Sequence, residues 1–513
     1  MQAFKRLLAL NGRENHFRIE KTMIDTNDTV KPVIGLEIHV ELATETKMFC
    51  RCRNRFGDPP NTNVCPVCIG MPGVLPVMNR KAVELAMKVG LALNCTVSDF
   101  TKWDRKSYYY PDLPKNYQIS QYDLPLCVNG CLEVPLGDGS TKKVRIIRAH
   151  LEEDAGKNIH DHPAHTGVDL NRAGVPLLEI VSQPDMNSVE EAASCARSMQ
   201  RLVRWLGASE ANMQMGHMRF EPNVNLHITR GARLYVTPIV EVKNLNSFRS
   251  LEGAIAYEIQ RQHGEWQANP DYTLENLGKQ NRGWDDVKCQ TLFQREKEEA
   301  HDYRYFPEPD LVPVAVDEAW RQSLRATIGE LPLARRARYM EGYGLTFKEA
   351  DALTQDAATG DLLDRSVRAG GQAKRCVNLL LGHGAAIANK RGCTIAEIGI
   401  TAERLAELAG MLSSGQTTAS AGAVIFYGIV ETGQAARDIA EAEGLLTVTD
   451  ASAIEAWVDE AIAANPEAAR EAAGGGKRQK KAFGFLMGQV MQKSRGAAPP
   501  AVVQRLIEEK LRR

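Results

Sequence analysis

VIGLEIHVEL, at residues 33–42, decides the fold of the N-terminal part of the chain because apolar and polar side chains alternate through it. This period of two predicts a β-strand with one buried face. The apolar positions are Ile34, Leu36, Ile38, Val40 and Leu42. Glu37 and His39 share the opposite face, about 7 Å apart, a spacing from which both can reach one metal ion. A solvated strand face explains the same two residues, so the pattern leaves both interpretations open.

A second alternating stretch, MRFEPNVNL at residues 218–226, predicts another strand of the same kind. Its polar positions are Arg219, Glu221, Asn223 and Asn225. Solvent exposure explains either strand singly. A sheet whose polar face presents such groups from several strands is suited to a polar, phosphorylated ligand.

Composition restricts the kind of protein. The chain has 513 residues, 43% hydrophobic and 25% charged, which is typical of a globular protein with more than one domain. The formal net charge of -1 argues against a generally basic RNA-binding surface, so any RNA contact must be local. No apolar run is long enough to span a membrane, and the first thirty residues lack the apolar core of a secretory signal. We therefore expect a cytoplasmic protein.

The residue composition and pattern of the sequence change near residue 319. Residues 31–318 contain alternating segments with many Pro and Gly, whereas Ala, Glu, Leu and Arg dominate afterwards. Ile454, Val458 and Ala461 recur at helical spacing. An α+β protein is predicted, in which a mostly antiparallel sheet precedes a helical C-terminal third. The polar stretch 413–420 and the glycines at 474–476 are expected joints between helical units.

Four cysteines give the most specific local signal. Cys50 and Cys52 are followed, after twelve residues, by Cys65 and Cys68, and two close thiol pairs fit a closed tetrahedral zinc site. Such a site would be structural, because it leaves no coordination position for substrate. Free core cysteines and a redox role are the alternatives. The segment CVNGC, at residues 127–131, predicts a hairpin turn rather than a second metal site.

Two further segments suggest phosphate chemistry. The run KWDRKSYYYPDLPKNYQISQYDLP, at residues 102–125, interleaves basic residues with tyrosines, which can neutralise phosphate and stack on a base. Packing tyrosines and solvated lysines remain an equal alternative. HLEEDAGK, at residues 150–157, concentrates the oxygen ligands that Mg²⁺ prefers, although a simple acidic patch has the same composition. The histidines of HDHPAH, at residues 160–165, fit a solvated turn better than a metal site.

Several long motifs, in the same order along the chain, resemble the B subunit of the aspartyl/glutamyl-tRNA amidotransferases. They include VIGLEIHVEL, PNTNVCPVCIGMPGVLPV, KWDRKSYYYPDLPKNYQISQYDLPL, HLEEDAGK, VDLNRAGVPLLEIVSQPD, EVKNLNSFRS and DYRYFPEPDLVP. The resemblance covers residues 31–513, and the segment around AFGFLMGQVMQKSRG is similar to the YqeY family. It implies a heterotrimer with an amidase A subunit and a small C subunit, in which this chain binds ATP, Mg²⁺ and the acceptor end of a misacylated tRNA.

The resemblance also implies domains and site residues. It divides the chain into an N-terminal extension (1–30), a catalytic cradle domain (31–318) with a zinc knuckle (50–68), a helical domain (319–408) and a YqeY-like tRNA-binding tail (409–513). Mg²⁺ and catalysis are assigned to Glu37, His39 and Glu153, and zinc to the four cysteines. The basic and tyrosine-rich run, taken by itself, assigns ATP or the acceptor end to Lys102, Arg105, Lys106, Tyr108 and Lys115. One departure is RFEPN at residues 219–223, where many relatives have Arg-Cys-Asp-Ala-Asn.

The predicted activity is a carbon–nitrogen ligase reaction that uses glutamine as amide donor. ATP phosphorylates the side-chain carboxylate of Glu-tRNA or Asp-tRNA, and ammonia then displaces phosphate. The alternative is a zinc-stabilised RNA-binding scaffold without catalytic activity. That alternative does not explain why Glu37 and His39 share a polar face with other carboxylates, which would repel RNA phosphate unless a metal ion intervened.

Overall fold

The computed structural model describes residues 28–162, 164–296, 300–448, 451–474, 478–494 and 496–512. Most of the expected N-terminal extension lies outside these residues, and its last three residues begin the first strand. The chain forms two compact units that divide between Ile328 and Gly329. The domain limits within each unit stay a prediction.

The first unit is built on β-strands. They are β1 (Asp28–Glu41), β2 (Thr96–Val97), β3 (Phe100–Thr101), β4 (Asp104–Ser107), β5 (Tyr117–Ser120), β6 (Cys127–Pro135), β7 (Thr141–Glu153), β8 (Lys157–His162), β9 (His165–Asp169), β10 (Pro176–Ser182), β11 (Met218–Arg230), β12 (Arg233–Val236), β13 (Ile239–Lys243), β14 (Lys279–Asp285), β15 (Gln290–Glu296), β16 (Phe306–Pro307) and β17 (Val314–Ala315). Its helices are α1 (Arg80–Ala92), α2 (Val189–Trp205), α3 (Phe248–Ala268), α4 (Leu274–Leu277) and α5 (Glu318–Arg325).

One large sheet organises this unit, in the order β15-β14-β13-β11-β1-β10-β7-β6-β2, with β12 paired to β11. Among its described pairings, β13 with β14 is parallel and the others are antiparallel. The predicted mostly antiparallel sheet is confirmed. β1 lies between β11 and β10, and its pairing with β11 runs from Asp28 to Val40.

The alternation in β1 separates the core from the site. Ile34, Ile38 and Val40 are fully buried. Helices α1, α2 and α3 contact strands of the same sheet. Full burial of such a side chain stabilises the fold by about 1.5–3 kcal/mol. Ser188 and Ser247 are the N-cap residues of α2 and α3. Their hydroxyls accept hydrogen bonds from backbone N–H groups of the first turn. The opposite face of β1 is free to carry Glu37 and His39.

The hairpin predicted at CVNGC is wrong. Residues 127–131 lie inside β6, which pairs with β7 on both sides of Asn129. Asn129 does adopt a left-handed backbone, with φ of 55°. Gly130 is needed for close approach, because a Cβ there would lie 2.3 Å from Cys95 Sγ and 2.7 Å from Leu93 O. The Asn-Gly pair therefore lets β6 pass close to the end of α1 instead of reversing the chain.

The second unit is helical, as predicted. Its helices are α6 (Pro332–Tyr343), α7 (Phe347–Leu353), α8 (Ala357–Arg368), α9 (Ala373–Leu379), α10 (Ala385–Arg391), α11 (Ala402–Ser413), α12 (Ala419–Thr432), α13 (Ala436–Ala442), α14 (Ala451–Ala464), α15 (Pro466–Ala473), α16 (Gln479–Lys493) and α17 (Pro500–Leu511). One apolar cluster extends from Tyr339 to Leu445 and another from Ile454 to Ile507. Within the part of the chain that the structure describes, no helix is both long and apolar enough to cross a membrane.

Candidate functional site

A polar pocket lies over the solvent face of the large sheet, with a volume of about 630 Å³. Side chains of β1, β7, β10, β11, β13 and β14 form its floor, and residues of β4, β5 and the segment before β16 form its walls. The volume is within the range of small-molecule and cofactor sites. Apolar side chains are in the minority in the lining, so the pocket suits a charged ligand.

Two histidines and two carboxylates meet on the floor. The ligand atoms of His150, Glu152 and Glu179 all lie within 4.8 Å of one another. His150 Nε2 lies 3.2 Å from Glu152 Oε1 and 3.7 Å from Glu179 Oε2. His39 Nε2 lies 3.6 Å from the same Glu179 oxygen. Adjacent strands produce this cluster, since β10 pairs His39 with Glu179 on one side and Glu179 with His150 on the other.

The electrostatics of this cluster favour ionised carboxylates. Burial raises the pKa of Glu179, but the charges of His150 and His39 outweigh burial and hold it well below its usual range. Burial lowers the pKa of His39, yet its hydrogen bond to Glu179 and the charge of Glu221 raise it to about 9. The protein therefore holds anionic oxygens at a buried position beside histidines that supply the balancing charge, and a metal ion bound there would take over that role.

Two cationic side chains line the pocket together with the cluster. Lys106, on β4, lines the pocket, and the carboxylate of Glu152 raises its pKa well above the usual range despite the opposing effect of burial. Arg148, two residues before His150 on β7, also lines the pocket. Its Nε is buried without a hydrogen-bond partner among the described residues. Fixed positive charges beside carboxylates are suited to a phosphate ligand that bridges to a metal ion.

A second group of carboxylates lies farther along the floor. Oxygens of Glu37, Glu221 and Glu241 lie within 4.8 Å of one another. Lys243 Nζ lies 2.6 Å from Glu221 and 2.7 Å from Glu241, so its ammonium offsets part of the negative charge of this group. Asn223 donates a hydrogen bond of 3.0 Å to Glu37. Glu37 thus lines the same pocket as His39 but belongs to a different cluster.

Glu153 does not join Glu37 and His39. Because side chains alternate along β7, Glu152 faces the pocket and Glu153 faces away from it. Glu153 is buried, forms an ion pair with Lys115 and accepts a hydrogen bond of 2.9 Å from the Ile119 backbone. The structure therefore does not bring Glu153 together with Glu37 and His39, and it is Glu152 that lines the pocket with them.

Only part of the predicted phosphate-binding run, residues 102–125, lines the pocket. Lys106 and Tyr108 line the pocket, whereas Lys102, Arg105 and Lys115 do not. Lys102 is paired with Asp104 and, at 2.6 Å, with Asp123. Arg105 donates bonds of 2.6 and 2.9 Å to the buried carboxylate of Glu308. These three cations pair with carboxylates, so the structure does not bring them to the pocket, and their expected contact with phosphate stays a prediction.

The four predicted cysteines come together on the loop between β1 and α1. Their Sγ atoms all lie within 4.8 Å, and Cys68 is 3.5, 3.7 and 3.6 Å from Cys50, Cys52 and Cys65. Lys47 is fully buried, with its Nζ 3.6 Å from Cys68 Sγ. A hydrogen bond from Cys50 and the charge of Lys47 lower the pKa of Cys68 to about 4, against the effect of burial.

Comparison with known proteins identifies the family. A model described as the GatB/GatE catalytic domain matches residues 32–322, and one described as the GatB domain matches residues 361–511. The chain belongs to the GatB/GatE family. The B subunit of the aspartyl/glutamyl-tRNA(Asn/Gln) amidotransferase of Rhodopirellula baltica is 44% identical over 484 residues, covering 93% of this chain and 96% of the relative. The proteins of the same name from Carboxydothermus hydrogenoformans and Oleidesulfovibrio alaskensis are 43% and 44% identical, each over 93% of this chain and 98% of the relative.

Sequence reasoning missed part of the site of this GatB-family chain. Arg148, His150 and Glu152 follow one another at a spacing of two, so the alternation of β7 could have placed all three on one face. Glu179 carries no such signal, because it interrupts the apolar run PLLEIVS of β10. The histidines at 160, 162 and 165 lie on the β8–β9 hairpin, where His162 and His165 stack with centroids 4.0 Å apart. Those histidines do not line the pocket.

Proposed function

We propose that this chain is the ATP-using subunit of a glutamine-dependent tRNA amidotransferase, a carbon–nitrogen ligase. Its relatives are named as the B subunits of aspartyl/glutamyl-tRNA(Asn/Gln) amidotransferases, and they align along nearly their whole length. The substrate is Glu-tRNA, Asp-tRNA or both, and the reaction converts the side-chain carboxylate of the esterified amino acid into an amide. The proposed activity belongs to the cytoplasm, where aminoacyl-tRNA is used.

The observation that carries this proposal is the group of His39, His150, Glu152 and Glu179 opposite Lys106. The imidazole of His150 converges there with the carboxylates of Glu152 and Glu179, and His39 reaches Glu179 from the neighbouring strand. The Nδ1 atoms of both histidines are buried without a hydrogen-bond partner among the described residues. The two carboxylates, Glu152 and Glu179, fit Mg²⁺, which is held by one or two carboxylates and by substrate phosphates, and the histidines contact those carboxylates. Bound Mg²⁺ would neutralise the charge on the transferred phosphoryl group. Glu37 and His39 line the same pocket, so their predicted part in metal binding stays a proposal, whereas Glu153 does not line it.

The proposed reaction has two steps, and side chains of the pocket bind the reacting phosphate. The substrate carboxylate attacks the γ-phosphorus of ATP, and ADP leaves to give an acyl phosphate. Ammonia then attacks the acyl carbon and phosphate leaves. Lys106 and Arg148 are placed to bind phosphate oxygens, which holds the γ-phosphoryl group against the substrate carboxylate. We assign the ammonium of Lys243, between Glu221 and Glu241, to positioning the rest of the floor.

Zinc is the proposed occupant of the cysteine cluster. Four thiolates around Zn²⁺ carry a net negative charge, and the buried ammonium of Lys47 provides the compensating charge beside Cys68. Lys47 also donates a hydrogen bond of 3.2 Å to the carbonyl of Leu170. A buried lysine with these partners is explained better by an anionic metal–thiolate cluster than by neutral core cysteines.

Other chains must complete the reaction. This sequence has no amidase signature of Gly and Ser residues with a catalytic Lys. Glutamine hydrolysis therefore belongs to an amidase A subunit that delivers ammonia, and a small C subunit completes the heterotrimer. The YqeY-like tail is proposed to bind the body of the tRNA. Of the basic run 477–481, Lys477 lies outside the described residues.

The test is to supply the purified complex with ATP, glutamine and either Glu-tRNA(Gln) or Asp-tRNA(Asn), and to identify the amino acid released from the tRNA. Gln or Asn is expected, together with ATP hydrolysis that depends on the misacylated tRNA. If this chain were only an RNA-binding scaffold, replacing pocket residues such as Lys106 would leave the rate of amide formation unchanged.

A further inference from the structure

Two tyrosines from distant parts of the chain stack at the wall of the pocket. The rings of Tyr122 and Tyr305 are 4.2 Å apart between centroids and only 9° from parallel. Both residues line the pocket. Tyr122 is 42% exposed, so this ring is accessible to a ligand. Tyr303 meets Tyr305 edge-on, with centroids 6.0 Å apart, which extends the aromatic wall.

Tyr122 is held from its own side of the stack. Its backbone N–H donates a hydrogen bond of 3.0 Å to Asp104, a carboxylate that is almost fully buried. Lys102 pairs with this carboxylate and with Asp123, the residue after Tyr122. The ammonium that was expected to bind phosphate therefore fixes the loop that carries Tyr122.

Tyr305 is held by a separate ion pair. It precedes β16, whose residue Phe306 pairs with Arg105 across the strands. The Arg105 guanidinium makes a two-bond contact with Glu308 and lies 5.6 Å from the Phe306 ring centroid. A bidentate pair with a buried carboxylate holds its strand in a defined position. Both tyrosines are thus fixed in place before any ligand arrives.

We propose that the Tyr122–Tyr305 pair is a stacking platform for an adenine base. A flat, rigid aromatic surface binds a base with little loss of conformational entropy. Lys106, whose Nζ lies 5.1 Å from the centroid of Tyr303, places phosphate-binding charge on the same side of the pocket. The platform rests on the proposed function, which offers two sources of adenine: ATP and the 3′-terminal adenosine of tRNA.

Loss of one stacking partner should weaken binding of the adenine-bearing ligand by about tenfold to a hundredfold. The complex with the amidase and small subunits is prepared with Tyr122→Ala, Tyr122→Phe and, as a matched control, Tyr109→Ala. Tyr109 is 72% exposed and does not line the pocket. Because Tyr122 is itself exposed, its replacement should leave folding intact, and Tyr122→Phe keeps the ring and should bind normally.

Equilibrium binding is measured with ATP, with tripolyphosphate, and with tRNA that has or lacks its terminal adenosine. Weaker binding of ATP by Tyr122→Ala with tripolyphosphate unaffected supports the platform and assigns it to ATP. Weaker binding of intact tRNA, with no change for tRNA lacking the terminal adenosine, supports it and assigns it to the acceptor end. Unchanged binding, or equal losses with and without the base, overturns it. Normal amide formation by the variant in that case would leave the proposed function standing.

Discussion

Replacement of Glu152 by Gln tests whether Glu152 is the catalytic carboxylate that we propose. Glu152 accepts hydrogen bonds of 2.6 Å from Ser120 and 2.9 Å from Gln118, and its Oε1 lies 3.2 Å from His150. Glutamine keeps the size of the side chain but removes its charge. If a preorganised charge contact of about 3–4 kcal/mol is lost, the rate of tRNA-dependent amidation falls by a factor of about 10²–10³.

The matched comparison is Glu153→Gln, one residue along β7 on the opposite face. Glu153 is paired with Lys115 and bonded to the Ile119 backbone, so this change should lower the melting temperature. Its effect on the rate, measured well below that melting temperature, should be much smaller. The assay records ATP hydrolysis and amide formation with misacylated tRNA, and circular dichroism follows folding. A normal rate for Glu152→Gln with a large loss for Glu153→Gln would refute the geometry of the site.

The remaining predictions concern metal and RNA. Cys68→Ser should remove about one zinc per chain, measured by elemental analysis, and lower stability sharply, whereas a full zinc content would contradict the four-thiolate site. Lys47→Met should weaken zinc retention against a chelator because the compensating ammonium beside Cys68 is lost; unchanged retention would show that this charge does not matter. Deletion of the chain after residue 409 should raise the KM for tRNA far more than it lowers kcat, and an unchanged KM would exclude the tail as a tRNA-binding element. Lys480→Glu with Lys481→Glu should flatten the salt dependence of tRNA binding, measured by titration at several salt concentrations.

The sequence predicted the sheet well because its strands are amphipathic. The alternation in β1 predicted both the buried face and the polar face that carries Glu37 and His39. The same rule, applied to HLEEDAGK, favours Glu152 over Glu153, since Glu152 shares a face with His150. The assignment of Glu153 came from the resemblance, and alternation along β7 corrects it by one residue.

Other parts of the site depend on residues far apart in sequence. Arg105 and Lys106 are adjacent cations, yet Arg105 pairs with Glu308 and Lys106 faces the pocket. Local charge pattern cannot separate them, because the carboxylate that neutralises Arg105 lies about two hundred residues away. The segment CVNGC was similarly ambiguous. An Asn-Gly pair provides the left-handed backbone for either a turn or a close approach of two segments. Here Gly130 packs closely against Cys95, so the pair serves the close approach.

We propose that this pocket activates the tRNA-bound carboxylate by phosphorylation. The most direct measurement labels the side-chain carboxylate of Glu-tRNA or Asp-tRNA with ¹⁸O and analyses the phosphate that the complete complex releases with ATP and glutamine. An acyl-phosphate intermediate transfers one carboxylate oxygen to phosphate when ammonia displaces it, so phosphate carrying one ¹⁸O atom per amide formed is expected. Unlabelled phosphate accompanying full amide formation would contradict the account.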